Sequence, residues 1–402
     1  MARSKKVDPD LIKQILTLRY STQTKSQIPK LNWRDFSEKS ENNSIDFVER
    51  AIAGNIKKNV KNKVSIALSG GVDSTLMLHF LKKTRPGVST KAILVRFEQS
   101  RDETNEAVRI AEKFDIDYEI LPIENYLLEL PKAISIVKLP LWDLHWYYVA
   151  KRAATFSKTI LSGDGGDELF GGYTFRYKKF LSLTQKDSSI HKKILAYLQC
   201  HERDWVPDQE QIFDKRIRFS WNKIYEIFKP YFNNSLDPLS QVFLADFNGK
   251  LRHNFSIVNG SINSYFKLKT LTPLLSDTLI NYALHIPSNL KYNKKNDLGK
   301  LMLRKILKKE KIERLVSRNK QGFSIDTNNL WRLRARKICD YYLSDSRIIQ
   351  DKWINPDWIN KHLHKSEPDT RYVNKFLGLL ALEIWYRLFV TKELKDNTQL
   401  SF

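Results

Sequence analysis

The sequence predicts a parallel α/β sheet covered by helices on both faces and followed by a mainly helical half. Three observations lead there. Strand-like and helix-like segments alternate between residues 61 and 162, the order that parallel strands with crossover helices require. Two glycine-rich segments follow strands directly, after Leu68 and after Leu161, at the edge where such sheets hold ligands. Beyond about residue 175 the strand signal fades and apolar residues recur at helical spacing.

A chain of 402 residues has room for two or three domains. Residues 1–60 read as a helical connector, with Asp8–Leu18 and Ile45–Ile56 at helical period around a polar, turn-rich stretch. Residues 61–175 form the sheet region. VSIALS is its first strand, TLMLHFLKK a helix, KAILVRF the second strand and Glu103–Phe114 a helix. DYEIL follows as the third strand, Trp146–Ala154 as a helix and TILSG as the fourth strand. Residues 176–402 are expected to be all-helical, with segments at Ile190–Gln199, Leu239–Phe247, Leu274–Leu284, Leu298–Leu307 and Phe376–Phe389.

Composition excludes several classes. Apolar residues make up 42% of the chain, enough for a buried core and too many for a disordered chain. Cys200 and Cys339 lack the spacing of a zinc site, and His362 and His364 have no suitable co-ligands nearby. MARSKK leads into no apolar run, so no signal peptide is expected. The most apolar stretch, Phe376–Phe389, carries Glu383 and Arg387, which argues against a membrane span and for a soluble cytoplasmic protein.

The first chemical motif is Ser69-Gly70-Gly71-Val72-Asp73-Ser74-Thr75. Its glycines let the backbone approach an anion, and several N–H groups converge with a helix N-terminus. Ser69 and Ser74 add hydroxyls. Asp73 would repel a phosphate unless a cation bridges the two, and Mg²⁺ is the natural bridge. The chain has no GxxxxGK[ST] segment, so it is not a P-loop NTPase. A plain strand-to-helix turn is the bland alternative. The motif resembles the PP-loop ATP pyrophosphatases, which cut ATP between the α and β phosphates. That resemblance implies a Rossmann-like PP-loop sheet, an ATP cradle of Leu68, Ser69, Gly70, Gly71, Val72, Asp73 and Ser74, and Asp73 as a Mg²⁺ ligand.

The second motif, LSGDGGDELFGGY from Leu161 to Tyr173, places three acidic residues within five positions. Such crowding is costly unless a metal or a substrate amine is held there. The segment is similar to the signature of asparagine synthetase synthetase domains. The resemblance makes Asp167 the second Mg²⁺ carboxylate and sets Asp164 near the incoming nitrogen nucleophile. It also brings Ser162 and Gly163 to the nucleotide. An acid at position 164 argues against the β-lactam-forming variant, which has Tyr there.

Arg318-Asn319-Lys320-Gln321-Gly322-Phe323 resembles the family's RKKQGF. Nitrogen attack on an acyl-adenylate makes an oxyanion that a fixed cation stabilises, and the resemblance gives Lys320 that role. Lys300, in GKLMLRKIL, matches a lysine expected on the pyrophosphate, and the backbone near Val95 would face adenine. Leu11–Trp33 resembles the connector to the family's glutaminase domain.

Two departures stand out. Position 2 is Ala2 and the first Cys is at 200, so nitrogen is expected from free ammonia, a separate glutaminase subunit or a larger amine. In VNGSINSYFKLKTLTPLLSD, Lys269 and Leu271 stand where the family has Glu and Arg, which puts aspartate as the acceptor in question. The expected activity is therefore adenylation of a carboxylate, aspartate or a related acid, followed by amide formation. The alternatives are a tailoring or tRNA-modifying ligase with another acceptor and a non-catalytic nucleotide-binding protein. Charge bears on the same choice. Lys and Arg number 68 against 45 Asp and Glu, a formal +23, and residues 291–338 alone hold 16 basic and 4 acidic residues. The excess is read first as a grip on ATP and pyrophosphate, with nucleic acid the less favoured reading.

Overall fold

The computed structural model describes residues 7–36, 44–98, 100, 102, 104–316, 325–365 and 368–401. Five parallel strands, β1 (Lys63–Ala67), β2 (Ser89–Phe97), β3 (Asp117–Ile123), β4 (Thr159–Leu161) and β5 (Lys269–Leu271), lie in the order β3-β2-β1-β4-β5. The helices that frame them are α1 (Pro9–Leu18), α2 (Ile45–Asn59), α3 (Val72–Thr84), α4 (Thr104–Lys113), α5 (Leu130–Val137), α6 (Trp146–Ala153) and the short α7 (Gly166–Phe170).

Strand alternation divides the interior into two cores. Val64 and Ile66 of β1, Ala92 and Leu94 of β2 and Leu161 of β4 face one core with α2, α3 and α4. Ala67, Ile93, Val95, Phe97 and Ile160 face the other with α1, α5, α6 and the C-terminal helix Thr370–Phe389. Side chains of a strand alternate faces, so a sheet buried on both sides reads as the continuous apolar runs seen here.

Capping residues set several boundaries. Asp8 accepts from the Asp10 amide (2.8 Å) and leaves Pro9 to open α1, a position that costs proline nothing. Asp102 accepts from both the amide (2.9 Å) and the hydroxyl (2.6 Å) of Thr104 at the start of α4. The segment expected to form one helix from Leu274 is instead a single 3₁₀ turn, Pro273–Leu275, and a helix at Asp277–Leu284. Ser276 separates them as the N-cap, accepting from the Leu279 amide.

The C-terminal half is mainly helical, as expected, but not wholly so, because Lys269–Leu271 completes the sheet as β5. Its ladder runs from the Lys269 amide on the Lys158 carbonyl (2.8 Å) to the Ser162 amide on the Leu271 carbonyl (3.0 Å). Three residues, two of them exposed, are too few to show a period. The strand exists because β4 offers an open edge.

Candidate active site

The strand order reverses at β1, with β2 on one side and β4 on the other, and the loops leaving β1 and β4 enclose a crevice at their carboxyl ends. The first loop turns at Gly70, whose φ of 72° is left-handed, and Gly71 caps α3. Ser69 and Ser74 bring their hydroxyls to 3.2 Å of each other, and Asp73 lies in the first turn of the helix. Leu68 and Val72 are buried behind the loop. Val95 sits on β2 two residues past Ile93, whose carbonyl takes the last backbone bond from this side, the Leu68 amide at 3.1 Å.

The second loop closes tightly over the first. A Cβ at Gly163 would lie 2.5 Å from the Asp73 Cβ, and one at Gly166 would overlap the Asp73 carboxylate. Farther along, a Cβ at Gly172 would overlap the carboxylate of Asp167. These glycines are therefore demanded by contact, since any larger residue would displace a carboxylate.

Lys300 comes from the distant C-terminal half. Its backbone is left-handed (φ 56°), capping the helix Leu301–Lys309, and its amide donates to the Gly171 carbonyl (3.2 Å). That anchor directs the side chain inward, where the ammonium pairs with Asp73 Oδ2 and, at 2.7 Å, with Asp167 Oδ1. Burial pushes the Lys300 amine down, but the two carboxylates overcome it and hold the group above its ordinary range. Asp73 is pushed up by burial and by its neighbours Asp167 and Asp164, against the opposing pull of Lys300.

Asp164 is half-buried, and desolvation likewise pushes it up, with Asn259 and Ser162 opposing the shift. Asn259, on the helix Ser256–Tyr265, donates its amide to Asp164 Oδ2 at 3.0 Å. Sequence reasoning missed this partner, because nothing in a mid-helix asparagine marks a contact 95 residues away. Glu168, also missed, is buried beneath the loop and accepts from the Tyr173 hydroxyl at 2.5 Å.

Asp73 Oδ1 is buried and, among the described residues, has no hydrogen-bond partner. An unsatisfied carboxylate oxygen beside a second carboxylate fits Mg²⁺, which takes one or two carboxylates together with phosphate oxygens. Among the described residues no group of three or more His, Cys, Asp and Glu side chains forms a self-sufficient metal cage.

The structure thus brings together Leu68 through Ser74, Ser162, Gly163, Asp164, Asp167 and Lys300, with Val95 at the rim. Lys320 and its motif lie outside the described residues. Lys269 is not part of the cluster. It sits at the amino end of β5, exposed, and donates to Asn59 Oδ1 at 3.0 Å. A cavity of about 850 Å³ on the outer edge of β3, lined by Leu121, Ile123, Tyr148 and Arg334 among others, includes none of these site residues.

Fold and crevice together define an α/β protein whose glycine-rich loops meet at the switch point of a parallel sheet. Within that class the chain belongs to the asparagine synthase family, whose family model matches residues 47–387. It is 26% identical over 389 residues to asparagine synthetase [glutamine-hydrolyzing] 1 of Bacillus subtilis, covering 88% of this chain and 60% of that one. It is 22% identical over 408 residues to a putative asparagine synthetase [glutamine-hydrolyzing] of Mycobacterium tuberculosis, covering 91% and 61%. The chain thus spans about three-fifths of the length of these relatives. Among solved structures, NMN synthetase from Francisella tularensis is similar at 12% identity, with a TM-score of 0.23 over 56% of this chain and 93% of that one. That score is too low to bear on fold or function.

Proposed function

We propose that this chain is an ATP-dependent ligase that adenylates a carboxylate, aspartate or a related acid, and then transfers the acyl group to nitrogen. The observation that carries this reading is the meeting of Asp73, Asp167 and Lys300 at one crevice, from three segments far apart in the chain. Family membership supports it as well.

In the first step a substrate carboxylate oxygen bonds to the α-phosphorus of ATP. The bond to the β-phosphate bridging oxygen breaks, and pyrophosphate leaves. The first loop's amides and hydroxyls bind the phosphates, and Lys300, held cationic by its neighbours, turns to the leaving pyrophosphate. Mg²⁺ held by Asp73 and Asp167 would supply further neutralisation of the phosphate charge. In the second step nitrogen bonds to the acyl carbon, the bond to AMP breaks, and the proton shed by nitrogen needs an acceptor. Asp164, which accepts a hydrogen bond from Asn259, is assigned that part by resemblance, and Lys320 the oxyanion. Positioning and charge stabilisation carry most of the rate.

Because Lys269 points away from the crevice, its charge gives no reason to exclude aspartate. Nitrogen would come from ammonia, another amine or a glutaminase. The test is pyrophosphate release with MgATP and a panel of carboxylates, with and without ammonia. Aspartate-dependent release that needs Asp73 and Asp167 is expected. Absence of release with every acid would refute the reading.

A further inference from the structure

The amino edge of the sheet, opposite the crevice, carries a second surface. Four of the five strands are entered through turns with basic residues and no acidic ones: KKNVKNK (57–63), RPGVSTK (85–91), FSKT (156–159) and FKLKT (266–270). Only the turn into β3, with Asp115 and Asp117, breaks the pattern. Together the four turns hold nine Lys and Arg. Lys57, Lys58, Lys61, Lys63, Lys158 and Lys267 are exposed.

The turns form one contiguous strip. The ammonium groups of Lys63 and Lys91 lie 5.4 and 5.2 Å from the same Phe156 ring. The Ser89 amide donates to the Asn62 carbonyl (3.1 Å), and the Arg85 guanidinium donates to the Lys57 carbonyl. Lys269 reaches Asn59 across the strip. With strands roughly 4.8 Å apart, the row runs about 15 Å along the edge. Among the described residues its side-chain partners are an aromatic ring, an amide oxygen and a carbonyl, and none is a carboxylate. A tyrosine stands near each end: Tyr118 of β3 is 39% exposed, and Tyr265, just before β5, is 49% exposed.

We propose that this edge binds the phosphate backbone of a single-stranded nucleic acid, with Tyr118 and Tyr265 offering faces on which bases stack. A positive track with flanking aromatics is the chemistry that grips single strands without reading sequence. An anionic membrane surface fits less well. The large apolar side chains that could insert, Phe175, Leu183, Ile190 and Leu333, are exposed in segments outside these turns. Lysines rather than arginines dominate the strip, which suits unspecific charge neutralisation over bidentate recognition.

The test uses the full chain and a fluorescein-labelled 20-nucleotide oligo(U), read by anisotropy. Binding is expected at 50 mM KCl and should weaken on the order of 100-fold by 200 mM, as for about five neutralised phosphates. The variant Lys61→Glu/Lys63→Glu/Lys158→Glu/Lys267→Glu should lose binding. Lys113→Glu/Lys178→Glu/Lys305→Glu/Lys308→Glu, with the same change in net charge elsewhere, should keep it. Tyr118→Ala/Tyr265→Ala should weaken the single strand by about tenfold while barely changing a duplex. The proposal is overturned if the wild type fails to bind at 50 mM KCl or if both charge-reversal variants lose binding equally. Tighter binding to phosphatidylserine vesicles or polyglutamate than to oligo(U) also overturns it. Pyrophosphate release by the edge variant stays at the wild-type level, so this result and that of the ligase assay are read separately.

Discussion

The two edges of one sheet use lysine in opposite ways. At the carboxyl edge a half-buried lysine, Lys300, is held between two carboxylates and crowded by glycines that leave no spare space. At the amino edge lysines stand in water with neutral partners. The strand ladder that aligns both edges is the same, so the difference lies in the loops. Glycine admits close approach and brings acids together on one side, while short lysine-rich turns leave charge unpaired on the other. A site for a small polyanion needs the first arrangement; a long, unspecific polyanion suits the second.

The sharpest way to break this contrast is to remove an acid from the crowded edge. Asp73→Asn should lower pyrophosphate release on the order of 10³-fold, as expected when a metal-binding carboxylate is lost. Unchanged release would remove Asp73 from the chemistry. Next in size is Gly166→Ala, whose methyl group would collide with the Asp73 carboxylate. About a 100-fold loss should follow from displacing a reacting group by a fraction of an ångström. At the amino edge a Cβ on Gly87 meets nothing within 4 Å, so Gly87→Ala should leave both release and melting temperature near wild type. Equal losses from the two alanines would mean that crowding is not what tells the edges apart.

Lys300→Met probes the ion pairs themselves. A divalent cation shared by Asp73 and Asp167 competes with the Lys300 ammonium for the same oxygens, so the variant should bind Mn²⁺ without nucleotide about tenfold more tightly, read by electron paramagnetic resonance. Lys63→Met, at the other edge, should leave Mn²⁺ affinity unchanged. Identical Mn²⁺ affinities for wild type and Lys300→Met would show that the lysine does not guard the pair.

Much of the carboxyl edge was legible in the sequence, because its chemistry is local. SGGVDS and LSGDGGDE each state their own turn, and the runs before them state their own strands. What was not legible depends on contacts across the chain. β5 is three residues that become a strand only against β4. Asn259 contributes through a helix face that no period distinguishes. Lys269 matches a site position by spacing alone, yet the register opposite Thr159 puts it at the amino end of its strand. Two residues of a strand decide which edge a side chain serves, and spacing from a motif does not carry that information.

Lys375 separates burial from pairing as the reason Lys300 stays charged. It is buried, more deeply than the half-buried Lys300, and its ammonium meets the carbonyls of Leu16 and Asp204 (2.8 Å for the latter) rather than two carboxylates. Burial, aided by Arg19 and opposed by Asp204, pushes its pKa down to about 7. Between about pH 7 and 10 the unfolded chain keeps a proton that the folded chain has released. Stability from this group therefore rises with pH across that window and is flat below it, with a slope of at most about 1.4 kcal/mol per pH unit. Lys375→Met abolishes that contribution, so the stability of wild type minus variant, from urea unfolding at pH 6, 7, 8 and 9, should be level at first and then climb. A difference that is level throughout would mean that burial alone does not discharge a lysine here. The charge on Lys300 would then owe nothing special to Asp73 and Asp167.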